Sequence, residues 1–236
     1  MYTERTYRSW ADEKSGLTYV VKEDESDLFI TSKTDLSRDI RKYLLEARCI
    51  LNAFIEKHPG FQYSLTPLEL QSDEGIISLM LESARLADVG PMAAVAGAVN
   101  EYIGKKVSED IIIENGGDIY IRGKGERIIG LFAGDTSPFT HKIGIKVHVQ
   151  DTLGICTSSG TVGHSLSFGH ADAVTIVSKT CALADAVATS ICNMVKSESD
   201  IEKTLERAMS IKGVDACLIT INEKLGALGD VEIVDL

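Results

Sequence analysis

Hydrophobic and polar positions follow two different periods in the first sixty residues. The segment TYRSWADEKSGLTYVVKEDESDLFITS is rich in aromatic and β-branched residues and is broken at Ser15–Gly16 and at the acidic cluster 23–27, a pattern typical of antiparallel hairpins. In the next segment, LSRDIRKYLLEARCILNAFIEKH, apolar residues recur at helical spacing. We therefore predict a hairpin and then a long amphipathic helix, which Asp35 can cap and Pro59–Gly60 ends.

The middle of the chain predicts two more helices. One covers Asp73 to Ala87, and another begins at Gly90–Pro91 in the segment GPMAAVAGAVNEYIG. Proline suits a first helical position because its missing N–H would have no partner there. The small side chains of this segment allow a neighbouring backbone or a ligand to come close, and tight helix packing is the simpler interpretation.

After residue 104 the pattern changes to short strands, in DIIIENGGDIYIRG, RIIGLFAG, KIGIKVHV, GICTSS and HADAVTIVS. The segment TCALADAVATSICNMV is helical again, and its apolar face carries Leu183, Val187, Ile191 and Met194. Because strands and helices come in groups, we predict an α+β fold. We expect one domain over residues 1–236, an antiparallel sheet with helices packed mainly on one side.

Composition and net charge indicate which partners and which cell compartment to expect. The chain has 236 residues, 24 basic against 35 acidic, and a net charge of -11, which repels nucleic acid and anionic membrane surfaces. We therefore expect no nucleic acid and no membrane partner. The first residues, MYTERTYRSWADEK, lack the features of a secretory signal, and five cysteines without a C-x-x-C pattern indicate a reduced, cytoplasmic protein.

A polar stripe on the last of these helices is a candidate metal site. At about 100° per residue, Cys181, Asp185, Thr189 and Cys192 share one face. The Asp185 carboxylate and the Thr189 hydroxyl can both reach one hard cation such as Mg²⁺, which prefers oxygen ligands. The alternative is an ordinary solvated helix face.

Two glycine-bearing loops are candidates for ligand contact. Asn115, Gly116 and Gly117 lie between strands, where paired glycines supply a tight turn or let a ligand approach the backbone. The segment CTSSGTVGHS brings Ser159 and Gly160 into a loop whose composition suits anion binding through backbone N–H groups. A plain hairpin turn and an ordinary Ser/Gly loop remain open as alternatives.

The order of these segments resembles the FAD:protein FMN transferases, the ApbE-like family. Over roughly residues 88 to 195, ENGGDIYIRG, TSSG and ADAVTIVSKTCALADAVATS match the family's Asn-x-Gly-Gly-Asp turn, its Thr-Ser-Gly loop, its strand, and its Ala-Asp-Ala-x-x-Thr helix. The resemblance implies a tunnelling-type α+β fold and transfer of FMN from FAD to a Ser or Thr of a protein acceptor.

The resemblance also assigns residues. It implies that Asp185 and Thr189 hold Mg²⁺ and that a backbone carbonyl, of Val95 or Ala96 here, completes the metal site. It places FAD near the Gly-Gly turn, with the ligand pocket formed by Asn115, Gly116, Gly117, Ser159 and Gly160.

Two departures separate this chain from the transferases. The family has a longer insert with a His-Ile-x-x-Pro-x-x-Gly segment, where this chain has only TVGHSLSFGHAD, and Ala96 stands in place of the family's lysine. Both argue against full flavin transfer. The segments GPMAAVAG and SSGTVGHS are similar to those of a short branch of ApbE-like proteins.

Three functional hypotheses follow. The first is a Mg²⁺-dependent enzyme that acts on flavin or another phosphate-bearing ligand, in which His164 or Asp172 moves a proton. The alternative for His164 is a loop histidine bonded to the backbone. The second is a module that binds a small anionic or nucleotide-like ligand without turnover. The third is sulfur transfer by Cys181 and Cys156. Cys181 begins a helix, where the pKa of a thiol can be lowered. The alternative is that both cysteines are small buried side chains.

Overall fold

Eleven strands build two sheets in the protein, for which a computed structural model describes Arg8, residues 16–161 and residues 168–236. In chain order the strands are β1 Leu17–Glu23, β2 Ser26–Ser32, β3 Ile111–Asn115, β4 Asp118–Arg122, β5 Gly125–Gly130, β6 Ile143–Val149, β7 Thr152–Ser158, β8 Ala173–Ser178, β9 Val214–Ile221, β10 Lys224–Gly229 and β11 Glu232–Asp235. The large sheet has the order β1-β2-β3-β4-β7-β8-β9-β10, and the small sheet has the order β11-β6-β5. All their pairings are antiparallel.

Helices cover one face of the large sheet. They are α1 Ser37–Lys57, α2 Gly60–Tyr63, α3 Gly75–Ala87, α4 Val95–Val107, α5 Cys181–Met194 and α6 Ile201–Met209, with 3₁₀ turns at Pro91–Ala94 and Glu198–Asp200. Alternate strand residues such as Ile113 and Ile176 point into the core shared with the helices. Their neighbours in sequence, such as Ile112 and Val177, point the other way, into a second core against the small sheet.

The predicted fold class is therefore confirmed: an antiparallel sheet with helices packed mainly on one side. The three-stranded sheet on the opposite face was not predicted. Its strands are separated in sequence, because β11 pairs with β6 across more than eighty residues of chain. In the part of the chain that the structure describes, no helix is both long and apolar enough to cross a membrane.

Several helix ends differ from the prediction. Leu36, not Asp35, occupies the N-cap position of α1, and the Asp35 carboxylate instead accepts the N–H of Ser37 at 2.8 Å. The segment after Gly90 opens as a 3₁₀ turn, so that the α-helix starts only at Val95. On α5 the predicted apolar face is buried apart from Met194, which is 39% exposed at the end of the helix.

Helix α5 is enclosed from both sides. It packs against β7 and β8 below and against α3 and α4 above. The alternative interpretation of the stripe as an ordinary solvated face does not hold for Cys181 and Cys192, because both thiols are fully buried. Asp185 and Thr189, between them on the same stripe, are half-buried. The two oxygen-bearing side chains of the stripe are thus the ones that a ligand can reach.

Candidate functional site

The crossing of α4 and α5 positions Asp185. A β-carbon at Gly97 would lie 2.4 Å from the carbonyl oxygen of Cys181 and 2.9 Å from Cβ of Asp185, so that only glycine allows the two helices to come this close. The N–H of Gly97 donates to Asp185 Oδ2 at 2.9 Å. This N–H belongs to the first turn of α4, where backbone donors have no partner within the helix. The Asp185 carboxylate is therefore fixed at the start of α4.

Glu101 makes the reciprocal contact. Its Oε2 accepts the N–H groups of Cys181, at 2.8 Å, and Ala182, at 3.4 Å, which open α5. Its Oε1 receives the ammonium group of Lys105 at 2.5 Å. Each helix thus begins at a carboxylate supplied by the other, where the positive end of the helix dipole favours negative charge.

The Asn115–Gly117 segment forms the tight turn that the sequence predicts. Asn115 and Asp118 are the last paired residues of the β3–β4 hairpin, and Gly116 and Gly117 between them have φ values of 70° and 104°. Positive φ at both central residues is the type I′ pattern, which suits glycine. The carbonyl of Gly117 accepts the N–H of Thr157 at 3.2 Å. This contact brings the turn beside the end of β7, two residues before Ser159.

Asp118 lies on the same side of α4 as Asp185. The Nδ2 group of Asn100 donates to the Asp118 carbonyl at 2.9 Å, while Gly97, three residues earlier on α4, donates to Asp185. Residues three apart are neighbours on a helix surface. Asp118 is also paired with Cys156 across the strands, and the sulfur of Cys156 is 3.5 Å from the carbonyl of Cys181, one turn before Asp185.

Burial raises the pKa of both carboxylates, and the charge of Asp185 acts on Asp118. Burial raises the pKa of Asp185 to about 7, against the effect of the N–H donors of Gly97 and Ala96. Burial, together with the negative charge of Asp185, raises the pKa of Asp118 well above its ordinary range. Among the described residues, no Lys or Arg is one of the main influences on either pKa. The pair is therefore a focus of negative charge that a cation would relieve.

The loop after β7 turns back on itself. The N–H of Gly160 donates to the carbonyl of Ala171 at 2.9 Å, and the hydroxyl of Ser159 accepts the N–H of Thr161.

Asp172 holds the β9–β10 turn, because its Oδ2 accepts the N–H of Asn222 at 2.7 Å. A role of Asp172 in proton transfer stays a prediction. His164 lies outside the described residues.

The far side of the loop closes over the end of α5. The N–H of Phe168 donates to Asn193 Oδ1 at 2.8 Å, and the N–H of His170 donates to the Val195 carbonyl at 2.8 Å. Thr189 lies one turn after Asp185 on this helix. Along α5, Thr189 therefore comes after the contact of Asp185 with the start of α4 and before the contacts of Asn193 and Val195 with the segment 168–170.

The structure contradicts the lowered thiol pKa on which the sulfur-transfer hypothesis depends. Cys156 and Cys181 do meet, with their sulfur atoms 3.6 Å apart, but both are fully buried. Burial raises the pKa of Cys181 to about 11, and the nearby carboxylates act in the same direction. Burial also raises the pKa of Cys156 well above its ordinary value. The predicted lowering of the thiol pKa is wrong, because loss of hydration outweighs the helix dipole.

Sequence reasoning missed three carboxylates of this region. Asp118 stands within the quoted NGGD motif, and its place at the end of a tight turn was the available signal. Glu114 directly precedes the same motif and accepts the N–H of Gly117 three residues later, whereas Glu101 carried no local signal, since the N–H that it accepts lies 80 positions away.

The donor set fits a hard cation. Within the described ranges, no three His, Cys, Asp or Glu side chains converge as a ready-made metal cluster. Two half-buried carboxylates, the Thr189 hydroxyl and nearby backbone carbonyls are oxygen donors, and magnesium is commonly held by one or two carboxylates with water and substrate oxygens completing its shell.

Comparison with known proteins places this geometry in a family. A family model described as AbpE bacteria matches residues 8–230. A UPF0280 protein of Methanocaldococcus jannaschii is 42% identical over 196 residues, which cover 80% of each chain. A UPF0280 protein of Methanobrevibacter smithii is 38% identical over 218 residues, which cover 87% of this chain and 91% of the relative.

Solved structures agree at the level of the fold. The crystal structure of the ApbE protein of Thermotoga maritima superimposes with a TM-score of 0.55 at 14% identity, covering 92% of this chain and 96% of the other. The apo flavinyl transferase ApbE of Pseudomonas stutzeri gives a TM-score of 0.50 at 11% identity, covering 90% and 93%. With its sheet, its NGG turn and its Ala-Asp-Ala-x-x-Thr helix, this chain belongs to the ApbE-like family, in the branch that the AbpE bacteria model describes and that is shared with the UPF0280 proteins.

Proposed function

We propose that this protein is a Mg²⁺-dependent enzyme acting on flavin, as FAD, or on another phosphate-bearing ligand. The observation that carries the proposal is that Asp118 and Asp185 both bond the N-terminal half of α4, at Asn100 and Gly97, and that the charge of Asp185 raises the pKa of Asp118. No Lys or Arg of the described residues is one of the main influences on either pKa. Such a site attracts a divalent cation, and through that cation a phosphate group.

Asp185 and Thr189 would hold the cation, with the carbonyl of Val95 or Ala96 as a further oxygen donor. When bound, Mg²⁺ supplies neutralisation of charge on a phosphoryl group. The chain's own residues do the positioning. The Gly97 N–H fixes the orientation of the Asp185 carboxylate, and Asp118 adds a second carboxylate on the same side of α4.

The ligand pocket in this proposal lies between the turn Asn115–Gly117 and the loop Ser159–Gly160. Gly116 is exposed and has no side chain, so that a ligand can approach the backbone of the turn closely. The contact between Gly117 and Thr157 holds the turn and the strand before the loop together. A flat ring system and an attached phosphate would thus meet backbone groups on one side and the cation on the other.

Flavin is the ligand to test first, because the Pseudomonas stutzeri protein of the same fold is a flavinyl transferase. Transfer of FMN to a Ser or Thr of a protein acceptor is the finer form of the proposal. Ala96, where transferases of this family have a lysine, favours a second candidate, which is binding of the anionic ligand without turnover.

We also propose a cytoplasmic location and a single domain spanning residues 1–236. None of the five cysteines, all of which lie in the described residues, forms a disulfide. Buried residues of α1, α3, α4 and α5 and of the large sheet share one core, which supports one folding unit.

Titration of the purified protein with FAD, with and without Mg²⁺, tests the proposal. We expect Mg²⁺ to tighten FAD binding, and Asp185→Asn and Thr189→Val to remove that gain, roughly tenfold or more in affinity, since each removes a charged or polar contact to the cation. Asp135→Asn, a change at an exposed carboxylate, is the matched control.

Each outcome decides between the candidates. Absence of FAD binding in both conditions would rule out the flavin form of the proposal. Binding without release of AMP, or without FMN on a Ser/Thr-containing acceptor, would support the binding module. Turnover lost in Asp185→Asn and kept in Asp135→Asn would establish the enzyme.

A further inference from the structure

Arg8 is held in a buried network with Asp27 and Glu114. Its Nη1 lies 2.6 Å from Asp27 Oδ1, its Nε lies 2.6 Å from Glu114 Oε2, and its Nη2 donates to the Asp27 carbonyl at 2.7 Å. The side chain of Arg8 is only 11% exposed, and its guanidinium lies over the ring of Phe29. A forked, charge-assisted arrangement of this kind fixes the orientation of both partners.

Glu114 connects this network to the pocket. While one oxygen of Glu114 receives Arg8, the other, Oε1, accepts the N–H of Gly117 at 2.9 Å. Gly117 is the second glycine of the turn, and its carbonyl in turn accepts the N–H of Thr157. A chain of hydrogen bonds therefore runs from Arg8 through Glu114 and the turn to the end of β7.

We propose that Arg8 is a positioning residue for the ligand, acting through Glu114 to hold the Asn115–Gly117 turn in its binding conformation. A Gly-Gly turn has more conformational freedom than any other pair of residues, and ordering it on binding would weaken affinity. Arg8 orders the turn in advance. The ligand role of the turn rests on the proposed function, while the restraint on the turn does not.

The variants separate positioning from general stability. Arg8→Met removes the positive charge and keeps a side chain of similar size. Arg8→Lys keeps the charge but lacks the guanidinium group that bonds two carboxylates at once. Asp27→Asn perturbs the other half of the network and leaves the Arg8–Glu114 contact in place. Arg48→Met is the matched control, because Arg48 also bonds two carboxylates, Asp24 and Glu25, in the β1–β2 turn, while none of its described bonds reaches Glu114 or the Asn115–Gly117 turn.

Hydrogen exchange of the backbone amides in a peptide covering residues 114–119, followed by mass spectrometry, reports on the turn without any ligand. We expect roughly tenfold faster exchange there in Arg8→Met, an intermediate effect in Arg8→Lys, and wild-type exchange in Arg48→Met and Asp27→Asn. Unchanged exchange in Arg8→Met, or an equal change in Asp27→Asn at equal loss of melting temperature, would overturn the proposal.

FAD titration in Mg²⁺ tests the consequence for binding. In a wild-type protein that binds FAD, Arg8→Met should weaken affinity roughly tenfold, with Arg8→Lys restoring part of it. Faster exchange without any loss of affinity would overturn the positioning role. A wild-type protein that binds no FAD would remove the flavin part of the proposed function, and the exchange experiment would still decide whether Arg8 restrains the turn.

Discussion

At Cys181 two physical effects act on one thiol in opposite directions. The start of a helix favours the thiolate, whereas complete burial and the carboxylates nearby favour the thiol, and the pKa of Cys181 rises to about 11. The same burial raises the pKa of Cys217 to about 12. Since the thiolate is the reactive form, the position of a cysteine at a helix start is not enough to make it reactive.

Alkylation of the native protein checks this conclusion. We expect the exposed Cys49 to react first with limiting iodoacetamide, and Cys156 and Cys181 to react far more slowly, because their thiols are buried and protonated. Peptide mapping after timed quenching measures the order. Labelling of Cys181 as fast as Cys49 would revive the sulfur hypothesis, and uniform labelling in denaturant is the control.

At the scale of elements, the site depends on how closely α4 and α5 approach. Gly97 permits the contact, Asp185 satisfies the first turn of α4, and Glu101 satisfies the first turn of α5. A helix that buries its start without such partners leaves backbone donors unsatisfied. The capping bonds and the candidate cation site therefore share one carboxylate, that of Asp185.

Gly97→Ala tests this contact. The added methyl group would meet the backbone of Cys181 at 2.4 Å, and we expect the free energy of unfolding to fall by about 1–3 kcal/mol as the helices move apart. Mg²⁺-dependent ligand binding should weaken as well. Chemical denaturation measures the first effect and FAD titration the second.

Gly75→Ala is the matched control for this substitution, because Gly75 also lies in the first turn of a helix but has open space around its Cα. It should be neutral or slightly stabilising, since alanine favours helix more than glycine does. Equal effects of the two substitutions would show that the close approach at Gly97 contributes nothing.

At the scale of the whole molecule, the acidic pair links stability to pH. The pKa of Asp185 in the folded protein is about 7, above its ordinary value of 3.8, and that of Asp118 is raised in the same direction. Between these values the folded protein keeps protons that the unfolded chain has lost. Stability therefore falls as pH rises through this range, and the cost of the Asp185 charge is complete above about pH 7.

Denaturation of chelator-treated protein at pH 5 and pH 8 measures this effect. We expect lower stability at pH 8 and a smaller difference in Asp185→Asn. The proposed Mg²⁺ site further predicts recovery at pH 8 on addition of Mg²⁺, since a ligand of the folded state stabilises it. Asp135→Asn should retain the wild-type difference. A stability that rises from pH 5 to pH 8 in the untreated and chelated protein alike would contradict the raised pKa values.

The secondary structure and the order of the motifs could be predicted from the sequence, because both depend on neighbouring residues. Aromatic and β-branched residues broken by turn signals predicted the β1–β2 hairpin, helical spacing predicted α1 and α5, and two adjacent glycines predicted the turn before Asp118. Helix ends were less accurate, as at Asp35 and Gly90, since a shift of one or two residues changes the pattern little.

Only the tertiary structure decided which of these groups act together. Glu101 reaches the start of α5 from 80 positions away, and Arg8 reaches Glu114 across 106 positions, neither of which leaves a local pattern. Burial likewise decided the states of Cys181 and Asp185, because the pKa of a group depends on the hydration it loses and the charges brought beside it. Periodicity and motif are properties of a stretch of chain, whereas proximity and hydration are properties of the packed molecule.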